Sequence, residues 1–525
     1  MRLHWHRQDL RLADNVALAA AADPGGGTAP TGGEDGVLGL FVLDEDLLAH
    51  AGPPRTAFLR DALGALGAAY RERDGALLVT RGDPPTVVPA VATAAAQTAS
   101  AGTAVGWNAD YTGYARRRDA AVERVLDATG VDVAVHHDAV CHPPGDITTA
   151  EGRPYRVFSY FGEKWLDRSK PAARDAPDAD ALVAPPAAER LGDALAEGES
   201  PGAWDPTDDA IVVTGVDDLD AFPALTAVDP DADVPPAGTD AARGRLASFC
   251  DGPIYRYAAA RDRPAERGTS RLSPHLALGT VGVREVYEAT ERAAAGLDNG
   301  TARGVPEEVA PDAAREGVAE FRRQLAWREF YTQVLAAEPE TAREDHVDFE
   351  RPVDWNDDPE GFAAWRDGET GFPLVDAGMR QLAAEGFVHN RVRMVVASFL
   401  TKDLLIDWRR GYAVFRERLV DHDTANDVGG WQWAASTGVD AQPFFRVFNP
   451  SSQCERHDPD GEYVRRWVPE LSDVPAARIH EWPDLAPDVR AELAPGYPDP
   501  IVDHAERREA AIAAFRRARG EADAG

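Results

Sequence analysis

The sequence predicts an α/β amino-terminal domain joined to a larger all-helical carboxy-terminal domain, and three observations carry that expectation. Residues 1–138 alternate short apolar runs with segments of helical period. From 241 onward the helical period persists and the strand-like runs disappear. Between them, 139–240 turns Pro-, Ala- and Asp-rich, which marks a connector. At 525 residues the chain is too long for a single core, so more than one domain is required.

In the first domain the apolar runs are 3–5, 37–43, 76–80, 104–107 and 131–135, and helical segments fall at 15–22, 55–71, 85–99 and 114–128. Short buried runs alternating with amphipathic helices predict a doubly wound, Rossmann-like parallel sheet with helices on both faces. The glycines at 25–27 and 32–33 do not follow the G-x-G-x-x-G spacing, so no dinucleotide fingerprint is present and a surface insertion is expected there. The connector at 139–240, densest in Pro and Asp at 171–236, reads as acidic and largely solvated. Helical periods at 375–385 and 391–409 place the remainder, 241–525, in the all-helical domain.

Composition limits the function. No run of about eighteen apolar residues and no basic-then-apolar leader is found, so a cytoplasmic protein that does not enter a membrane is expected. Cys141, Cys250 and Cys454 are far apart and form no Cys-x-x-Cys pair, so neither a disulfide framework nor a metal site is expected. The net charge of −34 opposes nucleic-acid binding at first sight. Lysine occurs only at Lys164, Lys170 and Lys402, a composition that suits multimolar salt, where the Debye length shrinks to roughly 3 Å or less and distant acidic surface hardly repels DNA. Local charge then decides, and 242–275 holds seven Arg against three Asp/Glu while 379–418 holds eight Arg/Lys against four.

Four motifs in order carry the chemistry. Gly268-Thr269-Ser270-Arg271-Leu272-Ser273 groups small donors around an arginine, as a phosphate-bearing ligand needs, although Thr and Ser before a helix also serve as ordinary caps. Trp327-Arg328-Glu329-Phe330 and His389-Asn390-Arg391-Val392-Arg393-Met394 follow. The run from Asp421 to Trp433 (DHDTANDVGGWQW) then crowds three carboxylates and two indoles around a Gly-Gly pair. With His4-Trp5-His6-Arg7-Gln8-Asp9-Leu10-Arg11 at the start, this order resembles the photolyase/cryptochrome family of blue-light flavoproteins over nearly the whole chain.

The resemblance implies FAD, with Tyr257 and Thr269, Ser270, Arg271, Leu272 and Ser273 holding its phosphate region. It implies that Asp421, His422 and Asp423 approach the ribityl, adenine and flavin edges, that Asp427 faces flavin N5, and that Arg328 and Asn390 lie near the cofactor. It implies Arg393 beside the flavin, paired with Asp403. Trp355, Trp408 and Trp431 match the family's three electron-passing tryptophans. For a pyrimidine dimer flipped out of UV-damaged DNA, Trp327 and Trp433 match the flanking indoles. Met394 would supply soft packing, Gln324 and Asn390 amides, and Arg261, Arg328, Arg391 and Arg446 a grip on the DNA backbone.

Two positions depart from the family's dimer-repairing members. Gln324 stands where they usually carry glutamate, and Asp427 where they carry asparagine; Val428 beside it replaces a second asparagine. These changes keep a cryptochrome-like photoreceptor, and more distantly a six-four photolyase, as alternatives to a cyclobutane-dimer photolyase. The His389–Met394 motif and Trp431-Gln432-Trp433 follow the dimer-repair pattern. An antenna site is expected around 110–119, which resembles that of deazaflavin-binding members and lacks the Asn-Glu pair of those that hold methenyltetrahydrofolate; Tyr114 and Ala115 stand there. Arg116–Arg118 also suits the exposed start of a helix. The expected protein is thus a monomeric repair lyase using FAD, with 8-hydroxy-5-deazaflavin ahead of folate as antenna.

Overall fold

All five apolar runs form strands. The computed structural model describes residues 1–23, 35–98, 102–197, 212–213, 217–226 and 230–521. Strands β1 (Arg2–His6), β2 (Val37–Leu43), β3 (Leu77–Arg81), β4 (Ala104–Asn108) and β5 (Asp132–His136) are mutually parallel in the order β5-β4-β1-β2-β3. A two-residue strand β6 (Val212–Val213) adds to β3 antiparallel. Every residue of β2 and four of five in β1 are buried, as continuous apolar runs in a sheet covered on both faces must be. The principal helices of this domain are α1 (Val16–Ala22), α2 (Pro53–Arg71), α3 (Pro84–Thr98) and α4 (Gly113–Thr129). The glycines at 25–27 and 32–33 lie outside the described residues.

The stretch 139–240 differs from the solvated connector that its composition suggests. Helix α5 (Phe158–Asp167) buries Phe158, Phe161 and Trp165 against the helical domain, and α6 (Pro185–Glu197) sends Leu191 and Leu195 into the sheet's own core. Aromatic residues at helical spacing outweigh the polar composition around them.

In the carboxy-terminal domain the helices that matter are α7 (Thr239–Cys250), α8 (Val283–Asn299), α9 (Pro311–Ala337), α10 (Pro373–Glu385), α11 (Asn390–Ser398), α12 (Trp408–Arg418), α13 (Thr424–Ala435) and α14 (His504–Ala518). Trp365, Trp408, Trp431 and Trp482 sit in its largest core. The two domains meet at a buried ion cluster. Arg284 of α8 reaches Asp14 at 2.5 Å and Asp138 at 2.6 Å, and Arg11 reaches Asp138 at 2.6 Å, with all four side chains at most 3% exposed.

Candidate functional site

Three helices build one cavity of about 350 Å³. Helix α9 presents Gln324, Trp327, Arg328 and Tyr331, and α11 presents Asn390, Arg393, Met394 and Ala397. Each set follows i, i+3, i+4, i+7, the spacing that puts four side chains on one helix face. Helix α13 adds Asn426, Asp427, Gly430, Trp431 and Trp433, while Phe415 and Arg261 complete the wall. His389 caps α11 by accepting the Arg391 N–H, and Asp423 caps α13 by accepting the Asn426 N–H, so each motif also starts its helix. Gly429 has a packing reason, since a Cβ there would overlap the Tyr331 ring, while Gly430 faces open space in the cavity.

The cavity floor is electrostatic. Arg393 donates to both oxygens of Asp421 at 2.7 and 2.9 Å, lies 3.6 Å from Asp427, and is steadied by the Val388 carbonyl at 2.8 Å. Asp427 accepts from His422 Nδ1 at 2.6 Å and from the Asp423 N–H at 3.1 Å. Asp421, His422 and Asp427 are all buried. The expected Arg393–Asp403 pair does not form. Beyond Ser398 the backbone widens into a π-turn over Phe399–Asp403, and Asp403 is instead bonded to His504 Nδ1 at 2.6 Å, against α14. Asp403 therefore lies away from the cavity, and Asp421 is the partner of Arg393.

The walls are aromatic and the polar groups incomplete. Trp327 stacks on Phe158 of α5 at 3.7 Å and 10°, while Trp433 leans on Phe448 at 6.2 Å. Asn426 Nδ2 and Trp431 Nε1 are buried at the cavity wall without a hydrogen-bond partner. Buried donors without partners are costly, and a polar ligand would satisfy them. Trp431 lines the cavity and is buried, Trp408 is buried in the same core, and Trp355 is half-buried beside Phe515 at 5.9 Å, so of the three indoles Trp355 is the most exposed. Trp408 Nε1 donates to Asp345 at 2.8 Å.

The Thr269–Ser273 motif divides. Thr269 and Ser270 line a second cavity of about 470 Å³ with Arg245, Arg267 and Phe249. Arg271 takes a positive φ of 48° and turns out to Glu385 at 3.1 Å and over the Phe387 ring. Leu272 is buried in the core and Ser273 opens the short helix Ser273–Ala277. Tyr257 is buried edge-on to Phe249 and Phe321, and burial pushes its phenol up to about 12. Of the arginines expected to grip a nucleic acid, Arg261 and Arg328 line the cavity. Arg391 does not, being held by both oxygens of Asp262 at 2.9 Å, and Arg446 lies exposed in the loop after α13.

Glu329, inside a motif quoted for its neighbours, performs a task the sequence reading missed. It points away from the cavity and accepts the Cys141 and His142 N–H groups at 2.6 and 3.0 Å, while burial raises its carboxyl to about 7. Its invisible signal was three-dimensional, because its partners are backbone groups 187 and 188 residues away.

In the α/β domain a smaller cavity of about 80 Å³ opens at the carboxyl ends of β1 and β2, lined by Trp5, Arg7, Gln8, Asp44, Asp110 and Arg118 among others. The strand order reverses between β1 and β4, the switch point where doubly wound folds take ligands, and the cavity reaches it through Asp110 after β4 and Arg118 of α4. Tyr114 donates to Asp44 at 2.8 Å, and Arg118 is buried over the Trp5 ring, whereas Arg116 and Arg117 are exposed. Nearby, His4, His6 and Asp9 gather within 4.8 Å of one another, bonded among themselves and to Tyr70 and Asn15.

Two family models match the chain: DNA photolyase over residues 2–181, and the FAD binding domain of DNA photolyase over 321–517. The chain is 52% identical to the deoxyribodipyrimidine photo-lyase of Halobacterium salinarum, covering 99% of this chain and 100% of the relative. It is 35% identical to the Escherichia coli protein of that name, covering 98% of each. Among solved structures, a class III photolyase from Agrobacterium tumefaciens matches with a TM-score of 0.78 at 33% identity over 99% of this chain and 98% of that one. A Synechocystis cryptochrome matches with a TM-score of 0.79 at 25% identity over 98% of each.

Proposed function

The chain belongs to the photolyase/cryptochrome family, and from that membership and the cavity we propose that it is a deoxyribodipyrimidine photo-lyase, splitting cyclobutane pyrimidine dimers in UV-damaged DNA under blue light. The observation that carries this reading is the pairing, in one cavity, of an aromatic, partly apolar upper wall with a charged floor. Trp327, backed by Phe158, together with Trp433 and Met394, suits the two saturated faces of a flipped dimer. Below them, the Arg393–Asp421 pair, Asp427 and the unpartnered Asn426 and Trp431 donors suit the polar edge of a flavin.

FAD, when bound, supplies the light-driven electron that opens the dimer. The protein's own residues bind and orient. Arg393, Asn390 and Asp427 would hold the cofactor in the main cavity, with Asp421 bracing Arg393 from behind, and Thr269 and Ser270 would offer hydroxyls to its phosphates in the second. His422 Nδ1, 2.6 Å from an Asp427 oxygen, fixes the orientation of that carboxylate. Trp431, Trp408 and Trp355 are assigned the passing of an electron towards the cavity, the role that their match to the family's three tryptophans implies. Arg261 and Arg328 face the DNA backbone. The smaller cavity of the α/β domain takes the antenna, a deazaflavin ahead of methenyltetrahydrofolate, and mass and absorbance of the material released on denaturation identify it.

No helix among the described residues is long and apolar enough to cross a membrane. A cytoplasmic monomer is part of the proposal, and light scattering would give its mass. The deciding experiment is repair of DNA carrying a defined dimer by the purified protein in molar KCl under blue light. Intact pyrimidines appear in the light and not in the dark. Protein that neither repairs nor prefers dimer-containing DNA at any salt from about 0.5 to 3 M, a range in which screening keeps long-range repulsion weak, is a photoreceptor on a repair scaffold.

A further inference from the structure

The departure at Gln324 has a neighbour that sets its chemistry. One helical turn earlier on α9, the Glu320 carboxylate accepts from Gln324 Nε2 at 2.9 Å through Oε1, and the Glu320 backbone carbonyl lies 3.4 Å from the same nitrogen. Arg261 donates to Oε1 as well, and Arg323 Nε sits 3.3 Å from Oε2. Three donors fix the Glu320 carboxylate, its side chain only 18% exposed. The Gln324 amide has two orientations. Turned the other way, its Oε1 would face the Glu320 carboxylate and carbonyl, oxygen against oxygen, without a proton between them. The carbonyl oxygen of Gln324 is therefore the atom left for the cavity that Gln324 lines.

We infer that Glu320 is a positioning residue that locks Gln324 as a hydrogen-bond acceptor, so that the cavity selects pyrimidine rings carrying an imide N–H, those of thymine and uracil. The inference rests on the repair reading and names which part of the lesion the site reads. A glutamine free to rotate would offer a donor to a ring carbonyl as readily as an acceptor to a ring N–H. Held by Glu320, it offers only the acceptor. A ligand without that N–H buries the Gln324 oxygen unpaired, which costs binding.

The test is dark binding, by the flavin-loaded protein, of three oligonucleotides: one with a thymine dimer, one with the same dimer methylated at the imide nitrogens, and one undamaged. The unmethylated dimer binds at least about tenfold more tightly than the methylated one, on the scale of a buried acceptor left unpaired. In Glu320→Gln the side chain at 320 can donate as well as accept, so Gln324 turns freely and the ratio drops to about threefold or less. Arg323→Met removes a charge from Glu320 without touching the Gln324 bond, and the ratio stays at the wild-type value. A wild-type ratio near one overturns the inference, and so does a ratio that Glu320→Gln leaves unchanged, since the methyl group would then act by bulk alone. Failure of the wild type to prefer either dimer over undamaged DNA is a different result and sinks the repair reading itself. Flavin content and the thermal transition of each variant establish that it is folded.

Discussion

The seam between the domains and the central cavity are both buried and both rich in charge, yet they are finished to different degrees. At the seam, Arg11 and Arg284 meet Asp14 and Asp138, and Arg284 also donates to the Asp14 and Asp138 carbonyls at 2.9 Å, so the cluster is nearly closed on itself, with Arg11 Nε its one buried atom left without a partner. In the cavity, Arg393 and Asp421 are paired but Asn426 Nδ2 and Trp431 Nε1 have no partner. Closed polar networks fix one arrangement of the chain, while open ones are completed by a ligand. The difference separates what holds the molecule together from what it works with.

The sharpest way to break the comparison is at the seam. Arg284→Ala leaves the buried Asp14 carboxylate without its ion partner, Asp138 keeping Arg11, and should cost about 3–5 kcal/mol of stability, read as a fall in the denaturant midpoint. A loss below about 1 kcal/mol would mean that the seam is hydrated and no more finished than the cavity. Acid should be nearly as severe. Burial holds His4, His275 and His389 down to about 4. Their stabilising contribution is complete above the unfolded value near 6.5 and lost as pH falls from there through 4, with a slope approaching roughly 4 kcal/mol per pH unit where all three titrate. Glu329 runs the other way: raised to about 7, its share is present below about 4.5 and lost as pH rises through 7. His389→Gln should flatten the acid limb by about a third, and an unchanged limb would assign the acid sensitivity to carboxylates.

Changes in the cavity should strike binding first. Trp327→Ala should lose about 1–3 kcal/mol of preference for dimer-containing over intact DNA, the scale of one base–aromatic stack, with flavin content unchanged. Loss of flavin in that variant would place Trp327 in the cofactor's support instead. The smallest effect belongs to Arg391→Ala. Its pair with Asp262 is partly solvated, the Asp262 side chain being 40% exposed, so stability should move by no more than about 1 kcal/mol. A larger change in DNA affinity, with a shallower salt slope, would return Arg391 to the DNA-facing set from which the cavity lining excludes it.

How much of this was legible follows from where each signal lives. Strands β1 to β4 were readable because a sheet covered on both faces demands unbroken apolar runs, β2 being buried at every position, whereas the edge strand β5 has no buried residue and was legible from its alternating valines. The i, i+3, i+4, i+7 faces of α9 and α11 were equally local, and ten of the expected site residues do line one cavity. The linker misled because its composition is set by exposed Pro and Asp, while three aromatics at 158, 161 and 165 decide that α5 packs. Asp403 misled because a single wide turn rotates it away from the face of Arg393, and no composition announces such a turn. Tyr331, Asn426 and Glu320 went unnoticed beside more conspicuous neighbours. The i, i+4 spacing of Glu320 and Gln324 was available, but an acid four residues before an amide ordinarily means only a solvated helix face.

Helix α9 has one more consequence, for what kinds of sequence change this fold can accept. Along its 27 residues it carries Glu320 and Gln324 at the cavity rim, Trp327, Arg328 and Tyr331 deeper in, and Glu329 gripping the linker from the opposite side. Exchange of one side chain alters one of these duties. Insertion or deletion of one residue turns everything beyond it by about 100° and shifts it by about 1.5 Å, which carries the stacking indole off the cavity and the clamp off the linker together. Drift by substitution is open to this segment, and drift in length is closed to it: α9 acts as a ruler whose graduations are read on both edges.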